Sequence, residues 1–201
     1  GERITIRKRA VEYIGNLELL YKSNLWLRTA IDVLTPIHEF TARNEDDLYK
    51  GVQSIDWTKY LDERKTFSIS SIVNSSFFKH SKYAVFRTKD AIVDQLREKT
   101  GKRPDIDTDN PDLKITLRIS EHKCYILLNS SGDSLFKRGY RIATGNAPIN
   151  EVLAAGIIEL MEWSFKDPFI DPMCGSGTFC IEAGMKALNI APGILREEFA
   201  F

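Results

Sequence analysis

Ile170-Asp171-Pro172-Met173-Cys174-Gly175-Ser176-Gly177-Thr178 is the stretch that decides how this chain is read. Phe169-Ile170 has the character of a short buried strand ending at Asp171. The backbone must then turn at Gly175-Ser176-Gly177, and a helix is expected from Thr178 to Leu188. Glycines allow positive φ and a close approach of the backbone to a ligand. The first turn of the helix offers N–H groups without intrahelical partners and a partial positive charge. Such a turn suits an anionic or hydrogen-bond-accepting group. Two related designs fail on spacing. No Lys follows Gly177, as a P-loop requires, and Gly184 falls too late for the dinucleotide fingerprint GxGxxG.

Upstream of the loop, Pro148 can open a helix running to about Trp163. Residues 131–147 follow the Ser/Gly pattern of a linker, so the chain divides into 1–130, the linker, and 148–201. Within the first part, Leu17 to Leu34 has one broad apolar face and reads as a helix closed by Pro36. Glu45 to Ser54 is a short helix capped by Asn44. Phe67 to Val73 alternates with period two, and so does Leu113–Ile119, which forms a hairpin with His122–Asn129. Ser81 to Lys99 is helical and ends at Gly101. A mixed α/β unit with antiparallel pairing results.

The 201 residues carry 28 basic and 28 acidic side chains, so net charge points to no partner class. Three cysteines without a CxxC pair suggest neither a disulfide framework nor a zinc site. His38, His80 and His122 lack ligand spacing, and no metal is expected. No run nears the roughly 18 apolar residues of a membrane span. A cytoplasmic protein is expected. The chain starts without Met inside an apparent strand and ends on Phe199-Ala200-Phe201, which suggests a piece of a longer parent.

The run from Asp171 to Ala183 resembles the first cofactor motif of bacterial THUMP-containing 23S ribosomal RNA guanine-N2 methyltransferases, also labelled N6-adenine-specific DNA methylases. Arg138-Gly139-Tyr140-Arg141 and Ala147-Pro148-Ile149-Asn150-Glu151 resemble the segment leading into their catalytic domain. His80-Ser81-Lys82-Tyr83 and Gly101-Lys102-Arg103-Pro104 resemble their THUMP domain. The resemblance implies an α/β fold: an N-terminal α+β THUMP-type RNA-binding domain, then the first β-α unit of a Rossmann-like methyltransferase domain. It implies S-adenosyl-L-methionine as cofactor, held by Asn146, Pro148, Asp171, Pro172, Met173, Cys174, Gly175, Ser176, Gly177 and Thr178. It also implies RNA, 23S ribosomal RNA in particular, as partner.

The family's later motif, Asn or Asp followed by Pro-Pro-Tyr or Pro-Pro-Phe, has no counterpart here, because none of the seven prolines is adjacent to another. No catalytic residue is therefore named, and weak or absent cofactor binding is expected of these residues alone. Charge marks the RNA contacts. Phe77 to Arg103 holds eight basic residues against three acidic ones. Lys82, Lys89, Lys102 and Arg103 are candidate phosphate contacts as a group. Lys137, Arg138 and Arg141 sit among Phe136 and Tyr140, a pattern that can track a strand, though a linker packed on its neighbours would look the same. Two other functions compete: methylation of adenine N6 in DNA, and RNA binding without activity.

Overall fold

The computed structural model describes residues 2–7, 9–62, 64–141 and 148–200. Strands β1 (Glu2–Arg7) and β2 (Ala10–Ile14) form an antiparallel pair, and α1 (Leu17–Trp26) follows. Then come β3 (Leu34–Thr41), α2 (Glu45–Gln53), a 3-10 turn (Trp57–Lys59), β4 (Phe67–Asn74), α3 (Ser81–Thr100), β5 (Leu113–Ser120) and β6 (Lys123–Asn129). Helices α4 (Glu151–Leu160) and α5 (Thr178–Ala187) complete the order. The chain divides into two compact units. One is Leu34–Gly132; the other joins the segment ending at Val33 to Asp133–Phe199.

In the unit from Leu34 to Gly132 the sheet runs β3-β6-β5-β4. β4 and β5 are parallel, as the α3 crossover between them requires, and the other pairs are antiparallel. The alternation read from the sequence places Ile115, Leu117 and Ile119 on the buried face, with Cys124 and Ile126 from β6. Ala84, Ala91, Ile92 and Leu96 of α3 and Leu48 and Val52 of α2 cover them. Trp57 is fully buried, and its indole N–H donates to the Val52 carbonyl. Gln95 accepts from the Trp57 backbone N–H and donates to the carbonyls of Gln53 and Ile55. That side chain satisfies three backbone groups which burial would otherwise strand.

The chain departs from the expected pattern in three places. The helix expected over Leu17–Leu34 ends at Trp26, where Leu27 turns to extended backbone. The carbonyls beyond it serve other partners: Arg28 O accepts from Arg138, and Ile31 O accepts from the Leu135 N–H. Those same bonds join the first 33 residues to the segment after Asp133, although the sequence division grouped them with the RNA-binding part. Pro36 lies inside β3, an edge strand, where a missing N–H is tolerated and the register slips by one residue. Finally, Phe169-Ile170 is not a strand. It pairs with no neighbour among the described residues, and Ile170 is 81% exposed. Phe169 instead meets Trp163, ring centroids 5.1 Å apart.

Candidate functional site

The loop before α5 is built as its sequence requires. Gly175 and Gly177 both take left-handed backbone, with φ of 51° and 74°. A Cβ placed on either would meet nothing within 4 Å, so both face open space. The turn closes with the Gly177 N–H donating to the Cys174 carbonyl at 2.7 Å. The first helical bond runs from Ile181 N–H to Gly177 O, and no side chain among the described residues caps the helix. The N–H groups of the preceding turn are thus left facing the loop.

At the loop's entrance, Asp171 Oδ1 accepts from the Met173 N–H at 3.1 Å. Its other oxygen, Oδ2, is buried and has no partner among the described residues. A buried acceptor without a donor is costly. A ligand hydroxyl or ammonium would satisfy it. The open glycine backbone, the free helical N–H groups and this oxygen fit the donor and acceptor pattern of a nucleoside-containing cofactor with a charged amino-acid end. Pro172, Met173, Cys174 and Ser176 are exposed around the same opening. Thr178 is buried, with its hydroxyl 3.1 Å from Ser176 Oγ.

Arg141 ties this loop to the segment before α4. Its Nη2 donates to Thr178 Oγ1 at 3.0 Å and to the Ile149 carbonyl at 2.6 Å. Its Nε lies 2.5 Å from Glu151 of α4. Ile149 and Asn150 are thereby held near the loop's exit, and Pro148 lies exposed just before them. Asn150 caps α4 by accepting from Val152 and Leu153 N–H. Asn146, the remaining candidate of that segment, lies outside the described residues.

Arg138 has a different place from the one expected. It is 2% exposed, paired at 3.4 Å with Glu182 of α5, and donates to the carbonyls of Leu135 and Arg28. A guanidinium so enclosed cannot reach a phosphate, and the expectation of an RNA contact there is corrected. Tyr140 donates its hydroxyl to Glu182 Oε1 at 3.1 Å. Burial raises the Glu182 carboxyl above the usual carboxylate range, although Arg138, Tyr140 and Arg28 pull it down. Burial likewise raises the Tyr140 phenol, with the Glu182 charge adding to it. Arg28 donates to the carbonyls of Met185 and Ile190 at the far end of α5. Both ends of the helix behind the glycine loop are thus fixed by arginines. Sequence reasoning missed Glu182 and Glu151. Glu182 left a trace, as the one charge in Phe179-Cys-Ile-Glu-Ala-Gly-Met185.

The basic candidates divide between the units. Lys82, Lys102 and Arg103 are exposed in the unit from Leu34 to Gly132. Lys89 is half-buried, 3.3 Å from Asp90 and above the Phe86 ring. Lys137 is exposed in the other unit and pairs with Asp133 at 2.9 Å.

Three known families match along the chain. Residues 1–34 match the RlmL ferredoxin-like domain, 42–129 the THUMP domain and 138–201 the RMKL-like methyltransferase domain. The chain is 40% identical over all 201 residues to a Synechocystis protein assigned as an RNA methyltransferase, covering 52% of it. It is 38% identical to the ribosomal RNA large subunit methyltransferase K/L of Desulfotalea psychrophila, covering all of this chain and 28% of that protein. A protein assigned as a methyltransferase and crystallised with SAH superposes with a TM-score of 0.75 at 39% identity, over 93% of this chain and 49% of that one. A Listeria monocytogenes protein assigned as an N6-adenine-specific DNA methylase superposes at 0.77 with 34% identity, over 92% and 49%. The chain thus spans about half the length of the Synechocystis relative. In fold and domain make-up its matches are those of THUMP-containing methyltransferases. Its start matches the ferredoxin-like domain of the RlmL type.

Proposed function

We propose that this protein is an S-adenosyl-L-methionine-dependent RNA methyltransferase acting on guanine N2 of large-subunit ribosomal RNA. The observation that carries the reading is the glycine loop: left-handed Gly175 and Gly177 facing open space, beside the unpartnered Asp171 Oδ2. Asp171, Met173, Gly175, Ser176, Gly177 and Thr178 would hold the cofactor, with Pro172 and Cys174 lining the opening; Asn146 and Pro148 are proposed as further contacts. The bound cofactor supplies a sulfonium-borne methyl group for direct transfer to a nucleophilic nitrogen. The protein's contribution is to hold donor and acceptor in line. The SAH-bound relative supports the cofactor, and the rRNA methyltransferase of D. psychrophila supports the substrate. Lys82, Lys89, Lys102 and Arg103 are proposed to contact phosphates, with Lys137 and Arg141 in secondary roles. Cytoplasmic placement belongs to the same proposal; no helix among the described residues is long and apolar enough to cross a membrane.

These 201 residues alone are proposed to be inactive, because they contain no Pro-Pro-Tyr or Pro-Pro-Phe motif to receive the target base. Calorimetry with S-adenosyl-L-methionine tests the cofactor assignment on the chain and on the protein at its natural full length. The full-length protein should bind, and binding should weaken sharply on Gly177→Ala. Failure of the full-length protein to bind would overturn the reading. Methylation of DNA adenine in place of RNA would favour the activity assigned to the Listeria relative.

A further inference from the structure

Helix α3 buries one face and leaves another open. Ala84, Thr88, Ala91, Ile92 and Leu96 pack inward. Tyr83 and Phe86, one turn apart on the outside, are 51% and 54% exposed. Phe77, just ahead of the helix, is 47% exposed. Core packing therefore does not account for these rings.

Along the chain, the charge between these rings has one sign. From Phe77 to Lys89 the chain holds Lys79, Lys82, Arg87 and Lys89 and no acidic residue. Lys82 is exposed one turn before Phe86, and Lys89 Nζ sits 5.7 Å from the centroid of the Phe86 ring. Arg87 is committed to Asp46 and the Tyr49 ring, and Asp90 offsets part of the Lys89 charge. The core of a protein-docking surface is typically depleted of charge. Here lysines flank the rings on the same helical stripe, which matches a polyanion carrying flat π faces.

We propose that Tyr83 and Phe86 form a stacking platform for unpaired bases, with Lys82 and Lys89 on the adjoining phosphates. This rests on the RNA-binding reading above and narrows its substrate class: the domain takes single-stranded or splayed-out RNA in preference to uninterrupted duplex. In an A-form duplex the bases stack on one another and offer no free face. In loops and single strands they can stack on aromatic side chains.

The test uses the 201-residue chain, labelled oligo(U) and oligo(A), and a blunt RNA duplex of equal length, with binding followed by fluorescence anisotropy over a salt series. Tyr83→Ala/Phe86→Ala should weaken single-strand binding about tenfold or more. Its salt slope and its duplex affinity should not change. Tyr83→Phe/Phe86→Trp should bind as wild type. Lys82→Ala/Lys89→Ala should give the converse, a shallower salt slope on both RNAs. Unchanged single-strand affinity in the Tyr83→Ala/Phe86→Ala variant, or an equal loss on duplex, would overturn the platform while leaving RNA binding intact. Self-association of the wild type that this variant abolishes would assign the rings to contact between copies and overturn it too. A wild-type chain that binds neither RNA would refute the RNA reading, and the platform with it.

Discussion

Replacing Arg138 with Met tests what holds the helix behind the glycine loop. The substitution keeps most of the side-chain volume and removes the cation beside Glu182, whose side chain is fully enclosed. Tyr140 still donates to Glu182, but the carboxylate loses its nearest positive charge. Breaking a buried pair from one side typically costs about 3–5 kcal/mol, because the remaining charge stays desolvated. The carbonyls of Leu135 and Arg28 also lose their donors. For a chain of this size the loss corresponds to roughly 2–4 °C in Tm per kcal/mol. The pH dependence is the sharper signature. Burial already raises the Glu182 carboxyl, so the folded state binds a proton more tightly than the unfolded state. Its contribution to stability is therefore best below the unfolded carboxylate range and declines as pH rises toward the folded value. Without Arg138 the carboxyl rises further and the decline extends to higher pH. Thermal unfolding across a pH series should show Arg138→Met costing more at pH 8 than at pH 5. Arg138→Met/Glu182→Met should recover much of the loss. A pH-independent cost, or one under about 1 kcal/mol, would show that the Arg138–Glu182 pair does not hold this helix.

Three other outcomes follow. Gly177→Ala places a Cβ at φ 74° in the open face of the loop. It should cost the full-length protein at least tenfold in S-adenosyl-L-methionine affinity by calorimetry, while the far-UV circular dichroism spectrum stays unchanged. Gln95→Ala strands the Trp57 N–H and the carbonyls of Gln53 and Ile55; at roughly 1–3 kcal/mol for an unsatisfied buried group, urea unfolding monitored at Trp57 should shift by at least about 2 kcal/mol. Iodoacetamide at pH 8 should modify the exposed Cys174 and Cys180 and spare Cys124, whose thiol is buried and pushed up to about 11; peptide mass spectrometry reads the pattern, and bound cofactor should shield Cys174.

The legibility of the chain follows from where its information lies. β4, β5, β6 and α3 were readable because each has one face on a shared core, which imposes period two or period 3.6 on the apolar residues. The glycine loop was readable because its constraint is local: left-handed backbone at two positions and a helix start. β3 was hidden because the register slip after Pro36 breaks its period-two alternation, and Pro36 itself reads as a helix stop. The end of α1 was hidden because the partners that take its later carbonyls, Leu135 and Arg138, lie more than a hundred residues away. Arg138 was misread for a related reason. A cation among aromatics looks the same in sequence whether it meets phosphate or a carboxylate supplied by a later helix.

On the function proposed above, the loop from Asp171 to Thr178 holds a methyl donor for an RNA base. Its most direct test gives the full-length protein radiolabelled S-adenosyl-L-methionine and unmodified large-subunit ribosomal RNA, followed by nuclease digestion and nucleoside chromatography. Label is expected in N2-methylguanosine and should be lost with Gly177→Ala. Label only in DNA adenine, or none in RNA from a protein that folds and binds the donor, would contradict it.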